Sequence, residues 1–301
     1  MLSFLSYILF RFFVIIFYIL PFRLIYFISD FFALLLRYVI RYRKKIILKN
    51  LKNSFPNKTE KELRKMLFPI YLNISDILVE TIKGYSMSSK QVQKHITITN
   101  LKLMNELYDN YNGIIGVLGH YGNWEWAALL SGLVLKQNSV IFYKPLSNKF
   151  LDKYIHKNRS RFGVHLCSIY ITAKSFEENK SKKTFFAMVA DQSPSNISKS
   201  YWITFLNQPT ACLHGPEKYA RMFNLPVVYI FIDRIKRGYY EVTFTTVTEK
   251  PNELPDGEIT RQYFGLLEKD IIHKPAPWLW SHRRWKHKPS SSENSYLTNS
   301  N

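Results

Sequence analysis

Hydrophobic positions change texture three times along this chain. From Leu2 to Ile40, Phe, Leu, Ile and Tyr dominate, broken only by Arg11, Pro21, Arg23, Asp30 and Arg37 among a few polar residues. Between Asn57 and Lys83 the apolar residues Leu63, Leu67, Ile70, Ile74, Ile77 and Leu78 fall at helical spacing. They follow a polar start, Thr59 to Glu62, that resembles a capping box, so an amphipathic helix is predicted. Further on, apolar runs of strand length occupy 114–119, 140–143, 184–190, 202–206, 227–232 and 240–247. Helical patterns at 124–136, 148–162, 215–223 and 258–273 separate several of them. Strands alternating with helices predict an α/β fold, a mixed central sheet flanked by helices. Three regions are expected: a hydrophobic membrane anchor or interfacial helices over 1–40, a folded domain over 41–289, and a disordered polar tail over 290–301.

The greasy start is not a clean span. Leu2 to Leu20 is about long enough to cross a bilayer core, but Arg11 at its middle costs roughly 2.5–3.5 kcal/mol on insertion scales. A tilted inserted anchor and an in-plane helix both remain open, as does a buried helix pair followed by a solvated basic helix. A cleaved signal peptide fits poorly, because a basic start, a compact apolar core and a small-residue cleavage site are missing. Arg37, Arg41, Arg43, Lys44, Lys45 and Lys49 form a basic collar that the positive-inside rule places on the cytoplasmic side.

Composition narrows the partners. With 47% hydrophobic and 16% aromatic residues, general disorder is excluded. A net charge of +20 attracts phosphates, anionic lipid head groups, acidic carrier proteins or nucleic acid, without choosing among them. Only Cys167 and Cys212 are present, which argues against a disulfide framework, and neither has a metal-ligand partner at CxxC spacing; no metal is expected.

Candidate chemistry gathers where apolar runs end. Gly116-Val-Leu-Gly-His120-Tyr-Gly-Asn-Trp-Glu125 carries a strand to an imidazole and then to a carboxylate. Five residues of unbroken helix would turn Glu125 about 140° away from His120, so the geometry works only if His120 ends a strand, Asn123 caps a new helix and Glu125 falls in its first turn. Glu125 would then hold the ring and stabilise the imidazolium. A satisfied core or loop histidine gives the same pair. Lys144, in Tyr143-Lys-Pro-Leu-Ser-Asn148, precedes Arg159 and Arg161, cations suited to oxyanions or to a solvated face. Asp191-Gln192 also follows an apolar run and either meets His120 across the sheet or starts a turn. Trp280 to Lys286 mixes aromatics with His282, Arg283 and Arg284.

Taken in order, His120-Tyr-Gly-Asn-Trp-Glu125, Tyr143 to Asn148, Ala190-Asp-Gln192 and Trp280-Ser-His-Arg-Arg-Trp-Lys286 resemble the late acyltransferases of lipid A biosynthesis, a branch of the lysophospholipid acyltransferase-like superfamily. The resemblance covers most of the chain. It implies a glycerolipid acyltransferase-like fold and an O-acyltransferase in the bacterial inner membrane, with its catalytic domain on the cytoplasmic face. Such an enzyme moves a fatty acyl group from acyl carrier protein, without a cofactor, to a hydroxyl of a glycolipid acceptor. His120 and Glu125 match its catalytic pair. Asn123, Lys144, Asp191, Gln192, His282, Arg283 and Arg284 match substrate or anion contacts, as does Arg159 or Arg161, the latter preferred because Phe162-Gly163 follow. Two departures bear on the acceptor head group: Ser193 to Asn196 replaces a glycine-containing basic turn, and Lys144 replaces an arginine. Acylation of a lysophospholipid or another glycolipid is the enzymatic alternative. A membrane-tethered nucleic-acid binder would explain the charge equally well but gives no reason for three polar residues at strand ends, so an anionic membrane surface is expected as partner and nucleic acid is not.

Overall fold

The computed structural model describes residues 2–198 and 200–289; the polar tail at 290–301 lies outside them. Two apolar helices come first, α1 (Leu2–Ile19) and α2 (Phe22–Leu34), separated by Pro21. The short basic helix α3 (Lys44–Ser54) leads to the long α4 (Glu60–Gly84), whose capping box is formed by Thr59 and Glu62 as predicted. Then follow α5 (Ser89–His95), β1 (Ile96–Ile98), α6 (Leu101–Asn110), β2 (Gly113–Leu118), α7 (Trp124–Val134), β3 (Asn138–Tyr143) and α8 (Lys149–Arg159). The remainder comprises β4 (His165–Ser168), α9 (Thr172–Asn179), β5 (Thr184–Val189), β6 (Tyr201–Phe205), β7 (Gln208–Cys212), α10 (Gly215–Phe223), β8 (Val227–Lys236), β9 (Tyr239–Thr248) and α11 (Glu258–His273).

Seven strands form one sheet in the order β1-β9-β8-β2-β5-β3-β4. Every neighbouring pair is parallel except β8 and β9, which the two-residue link Arg237-Gly238 joins antiparallel, so the mixed pairing falls where the last strands succeed one another. β2 sits in the middle and is buried at all six positions, as a parallel strand covered on both faces must be. Its alternation separates two cores: Ile115 and Val117 face α3, α4 and α11, while Ile114 and Leu118 face α5, α6 and α7. The run at 202–206 does not join this sheet. It pairs with β7 in a separate hairpin whose turn residues, Leu206 and Asn207, both have positive φ.

The first helices are packed onto the body. Lys83 donates to the carbonyls of Phe17 (2.8 Å), Tyr18 (3.0 Å) and Leu20 (3.0 Å), satisfying the open end of α1. From α2, Ser29 donates to Asp76 (2.6 Å) and Tyr26 to Glu80 (2.8 Å), both on α4. The apolar stripe of α4 departs from expectation. Leu78 is exposed, while Asn73, Asp76, Glu80 and Lys83 are buried at 3-4-3 spacing as a polar seam. Arg234 of β8 pairs with Asp76, and Arg237 pairs with both Asp76 and Asp30, so the seam is neutralised by cations from the last strand pair.

Candidate active site

Register builds the centre of the site. β2 and β5 run parallel with Leu118 opposite Val189, and the ladder continues through the Ala190 amide donating to the Leu118 carbonyl at 2.9 Å. Two residues further along each strand stand His120 and Asp191. They are therefore neighbours at the carboxyl ends of central strands, where open α/β sheets place their ligands.

The Asp191 carboxylate is buried and fully engaged. His120 Nδ1 lies 2.6 Å from Oδ1, while the His120 amide (2.9 Å) and Trp278 Nε1 (2.8 Å) donate to Oδ2. Burial pushes the Asp191 carboxyl up, but the His120 ring and these hydrogen bonds outweigh it and hold the group below the usual carboxylate range. A carboxylate only accepts, so Nδ1 carries the ring proton and Nε2 presents its lone pair. That lone pair faces the Gln192 side-chain amide at 3.1 Å. The imidazole is thus held by Asp191, which corrects the expectation that Glu125 would hold it.

Glu125 is where the spacing argument puts it, in the first turn of α7. Asn123 caps that helix, accepting from the Trp126 amide at 3.0 Å. Glu80 fixes the cap in turn, accepting from Asn123 Nδ2 at 2.8 Å, and its own carbonyl accepts from Trp126 Nε1 at 3.0 Å. Gly122 makes the bend, with φ +63° and the Ile232 carbonyl oxygen 2.4 Å from where a Cβ would stand. The Glu125 carboxylate is engaged by both arms of Arg159, including Nε to Oε2 at 2.8 Å. Burial opposes the Arg159 charge, and Glu125 more than restores it.

These groups open into one cavity of about 530 Å³, lined at its polar end by His120, Glu125, Arg159, Gln192 and Lys144. Leu118, Leu130, Phe185, Ile230 and Phe244 line its apolar depth, on the side of the sheet that α7 covers. Among the described residues, no group of three His, Cys, Asp or Glu converges as metal ligands.

Other expected contacts are placed elsewhere. Arg161, the preferred arginine, points away from the cavity and donates to the carbonyls of Gly84 (2.6 Å) and Met87 (3.0 Å); Arg159 is the arginine in the site. Arg284 is buried at 2% exposure, against the Cys212 sulfur at 3.6 Å and the Phe264 ring, and is no open anion fork. Arg283 lines a separate basic groove with Lys49, Lys286 and Lys288. His282 lies outside the cavity lining, and burial pushes its imidazole down to about 4 against the pull of Asp191. The C-terminal segment reaches the site through the two residues just before this motif, because Trp278 bridges Tyr121 and the Leu279 amide donates to the His120 carbonyl at 3.1 Å.

At the centre of the site a histidine held by a buried carboxylate thus stands beside a helix N-terminus and a cavity with an apolar lining. The sequence profile of the bacterial lipid A biosynthesis acyltransferases matches residues 1–287. The chain belongs to this family. It is 22% identical over 284 residues to the lipid A biosynthesis palmitoleoyltransferase of Escherichia coli K12, covering 92% of this chain and 90% of the relative. To the lauroyltransferase of lipid A biosynthesis from the same strain it is 25% identical over 272 residues, covering 87% and 85%. A Shigella flexneri lipid A biosynthesis acyltransferase matches at 22% over 284 residues. This lipid A acyltransferase is accordingly a transferase of acyl groups in lipid A biosynthesis, and its α1 is long and apolar enough to cross a bilayer.

Proposed function

We propose that this acyltransferase moves a fatty acyl group from an acyl-carrier-protein thioester to a hydroxyl of a lipid A precursor, at the cytoplasmic face of the bacterial inner membrane. One observation carries the reading: Asp191 fixes the His120 ring with its Nε2 lone pair turned into the cavity beside Glu125 and Arg159. The acceptor hydroxyl takes the place of the Gln192 amide at Nε2, which removes its proton as the oxygen attacks the thioester carbonyl. The C–S bond breaks, and the imidazolium returns the proton to the leaving thiolate. Asp191 stabilises the imidazolium between these steps, and Glu125 adds negative charge in the same cavity.

The oxyanion needs donors. The amides of Tyr121 and Gly122 are engaged by the carbonyls of Gly119 and Pro277, and that of Trp126 by the Asn123 cap, so the Trp124 and Glu125 amides and the Arg159 guanidinium take this role, each donor worth a few kcal/mol. The apolar depth of the cavity takes the acyl chain, at roughly 0.8 kcal/mol per buried methylene. A thioester is already activated, so the chemistry calls for no cofactor. The net charge of +20 supports an acidic carrier protein and a phosphorylated acceptor as partners.

The test is acyl transfer by purified protein, with acyl-carrier-protein and acyl-CoA donors offered in parallel and the product lipid weighed by mass spectrometry. One added ester-linked chain on the lipid A precursor, absent with His120→Ala, is expected. Acylation of a lysophospholipid alone would replace the acceptor, and near-normal turnover by His120→Ala would remove the mechanism.

A further inference from the structure

We infer that α1 lies in the plane of the membrane, within one leaflet, and that it and the apolar rim of the catalytic cavity form a single surface seated on anionic lipid. This deepens the proposed function, since it says how a lipid acceptor reaches His120. Three features carry it.

First, α1 touches the catalytic domain along its whole length. At its start, Asn148 donates to the Ser3 carbonyl (2.8 Å) and to the Ser6 hydroxyl (3.0 Å), and Phe4 packs on Phe150 with ring centroids 5.4 Å apart. Midway, the Arg11 guanidinium sits 4.7 Å from the centre of the Tyr154 ring. At its end, Phe17 packs with Val79, and Lys83 caps the open carbonyls. Eighteen residues of helix span about 27 Å, close to a bilayer core of about 30 Å. If α1 crossed, its start would lie at the far head groups and would carry α8 with it. That helix bears Lys149, Asp152, Lys153 and Lys157, each costing about 2.5–3.5 kcal/mol at mid-bilayer. The half-buried Arg11 turns toward the protein side, donating from Nη1 to the Tyr7 hydroxyl at 3.1 Å and lying against the Tyr154 ring, so an in-plane α1 does not set this charge into hydrocarbon.

Second, the opposite face of α1 is an unbroken apolar stripe. Leu2, Leu5, Leu9, Phe12 and Ile19 are all more than half exposed. Third, a second exposed apolar set surrounds the cavity mouth. Leu146 and Ile169 line the cavity and are each nearly half exposed, with Tyr170 and Ile171 beside them, and Phe150 joins this rim to Phe4 of α1. Exposed Lys149, Lys153 and Lys157 recur every four residues on α8, and Lys144 stands at the mouth, which complements anionic head groups rather than a second copy of a chain already at +20. Seated this way, the cavity opens directly to the leaflet, and an acceptor enters sideways without leaving the membrane.

The experiment uses the full chain with Cys167→Ser and the buried Cys212 left in place, one added cysteine at a time replacing Leu2, Leu9, Phe12, Ile19 or Tyr170, and a spin label on each added cysteine. Label depth is read by electron paramagnetic resonance in vesicles containing phosphatidylglycerol. One shallow depth shared by all five sites is expected, together with about a tenfold loss of vesicle partition for the pair Tyr170→Asp and Ile171→Asp. Leu2 and Ile19 at opposite head groups with Leu9 at the midplane would overturn the inference. Immobilised, mutually broadened labels without vesicles would also overturn it, in favour of a second copy. Turnover on detergent-dispersed acceptor is measured alongside, so failure of the acyl-transfer reading and failure of the in-plane seating are told apart.

Discussion

Asp191→Asn changes almost no volume and tests the centre of the site. Oδ2 of the native carboxylate accepts two hydrogen bonds, from the His120 amide and Trp278, and Oδ1 accepts one, from His120 Nδ1. An asparagine keeps the larger number by placing its oxygen at the Oδ2 position, which turns its NH2 toward Nδ1. Nδ1 must then accept, the ring proton moves to Nε2, and the lone pair that takes the acceptor proton is gone. The same tautomer error in a Ser-His-Asp triad lowers kcat by about 10⁴, so a fall of about 10³–10⁴ is expected here, or about 4–5.5 kcal/mol of transition-state stabilisation. The donor KM should change little, because the cavity is untouched. The assay is release of the carrier thiol at saturating donor and acceptor, with circular dichroism melting to show that the variant is folded. A folded variant within tenfold of the parent would refute the assignment of Asp191 as the residue that positions His120.

Glu125→Gln removes the charge facing the partly buried Arg159 and is expected to cost about 2–3 kcal/mol in denaturant unfolding as well as turnover. The charge-reversed pair Glu125→Arg with Arg159→Glu should regain stability but not activity; recovery of both would make the pair purely structural. Gly116→Ala would place a Cβ 2.5 Å from the Phe185 ring and 2.8 Å from Ile230, both cavity-lining, so a donor series should show the preferred chain shortened by one or two carbons, and an unchanged preference would refute the cavity's role. For His282, burial sets the folded pKa at about 4 against 6.5 when unfolded, so below 6.5 the unfolded chain binds more protons. Its contribution is therefore full above pH 6.5 and lost as pH falls toward 4, and His282→Gln should flatten the melting temperature against pH in that window.

Much of the fold was legible because its elements are locally consistent. The helices at 215–223 and 258–273 have the expected bounds, and β2, β3, β5, β8 and β9 overlap the apolar runs that pointed to them. The strands β1, β4 and β7 escaped notice because they are three to five residues long and carry no alternating pattern that survives without their sheet partners. In the site, the strand-end histidine and the Asn123 cap could be read from spacing alone, and Asp191 could be set across the sheet from His120 as one of two readings, but the choice between it and Glu125 as the partner of the imidazole could not be made. Glu125 is near in sequence, whereas Asp191 is near only through the register of β2 with β5. The choice between Arg159 and Arg161 depended on which way α8 turns, a tertiary fact. Glu80 left a trace that went unused: polar residues at 73, 76, 80 and 83 share one side of an otherwise apolar helix, where each must find a partner.

The proton on the His120 ring is the most direct test of the account. Nitrogen-15 spectra of histidine-labelled protein, with the His120 signals assigned by their loss in His120→Gln, report which ring nitrogen carries it at neutral pH. A protonated Nδ1 with a bare Nε2, exchanging places in Asp191→Asn, is the predicted result. A proton on Nε2 in the parent enzyme would contradict it.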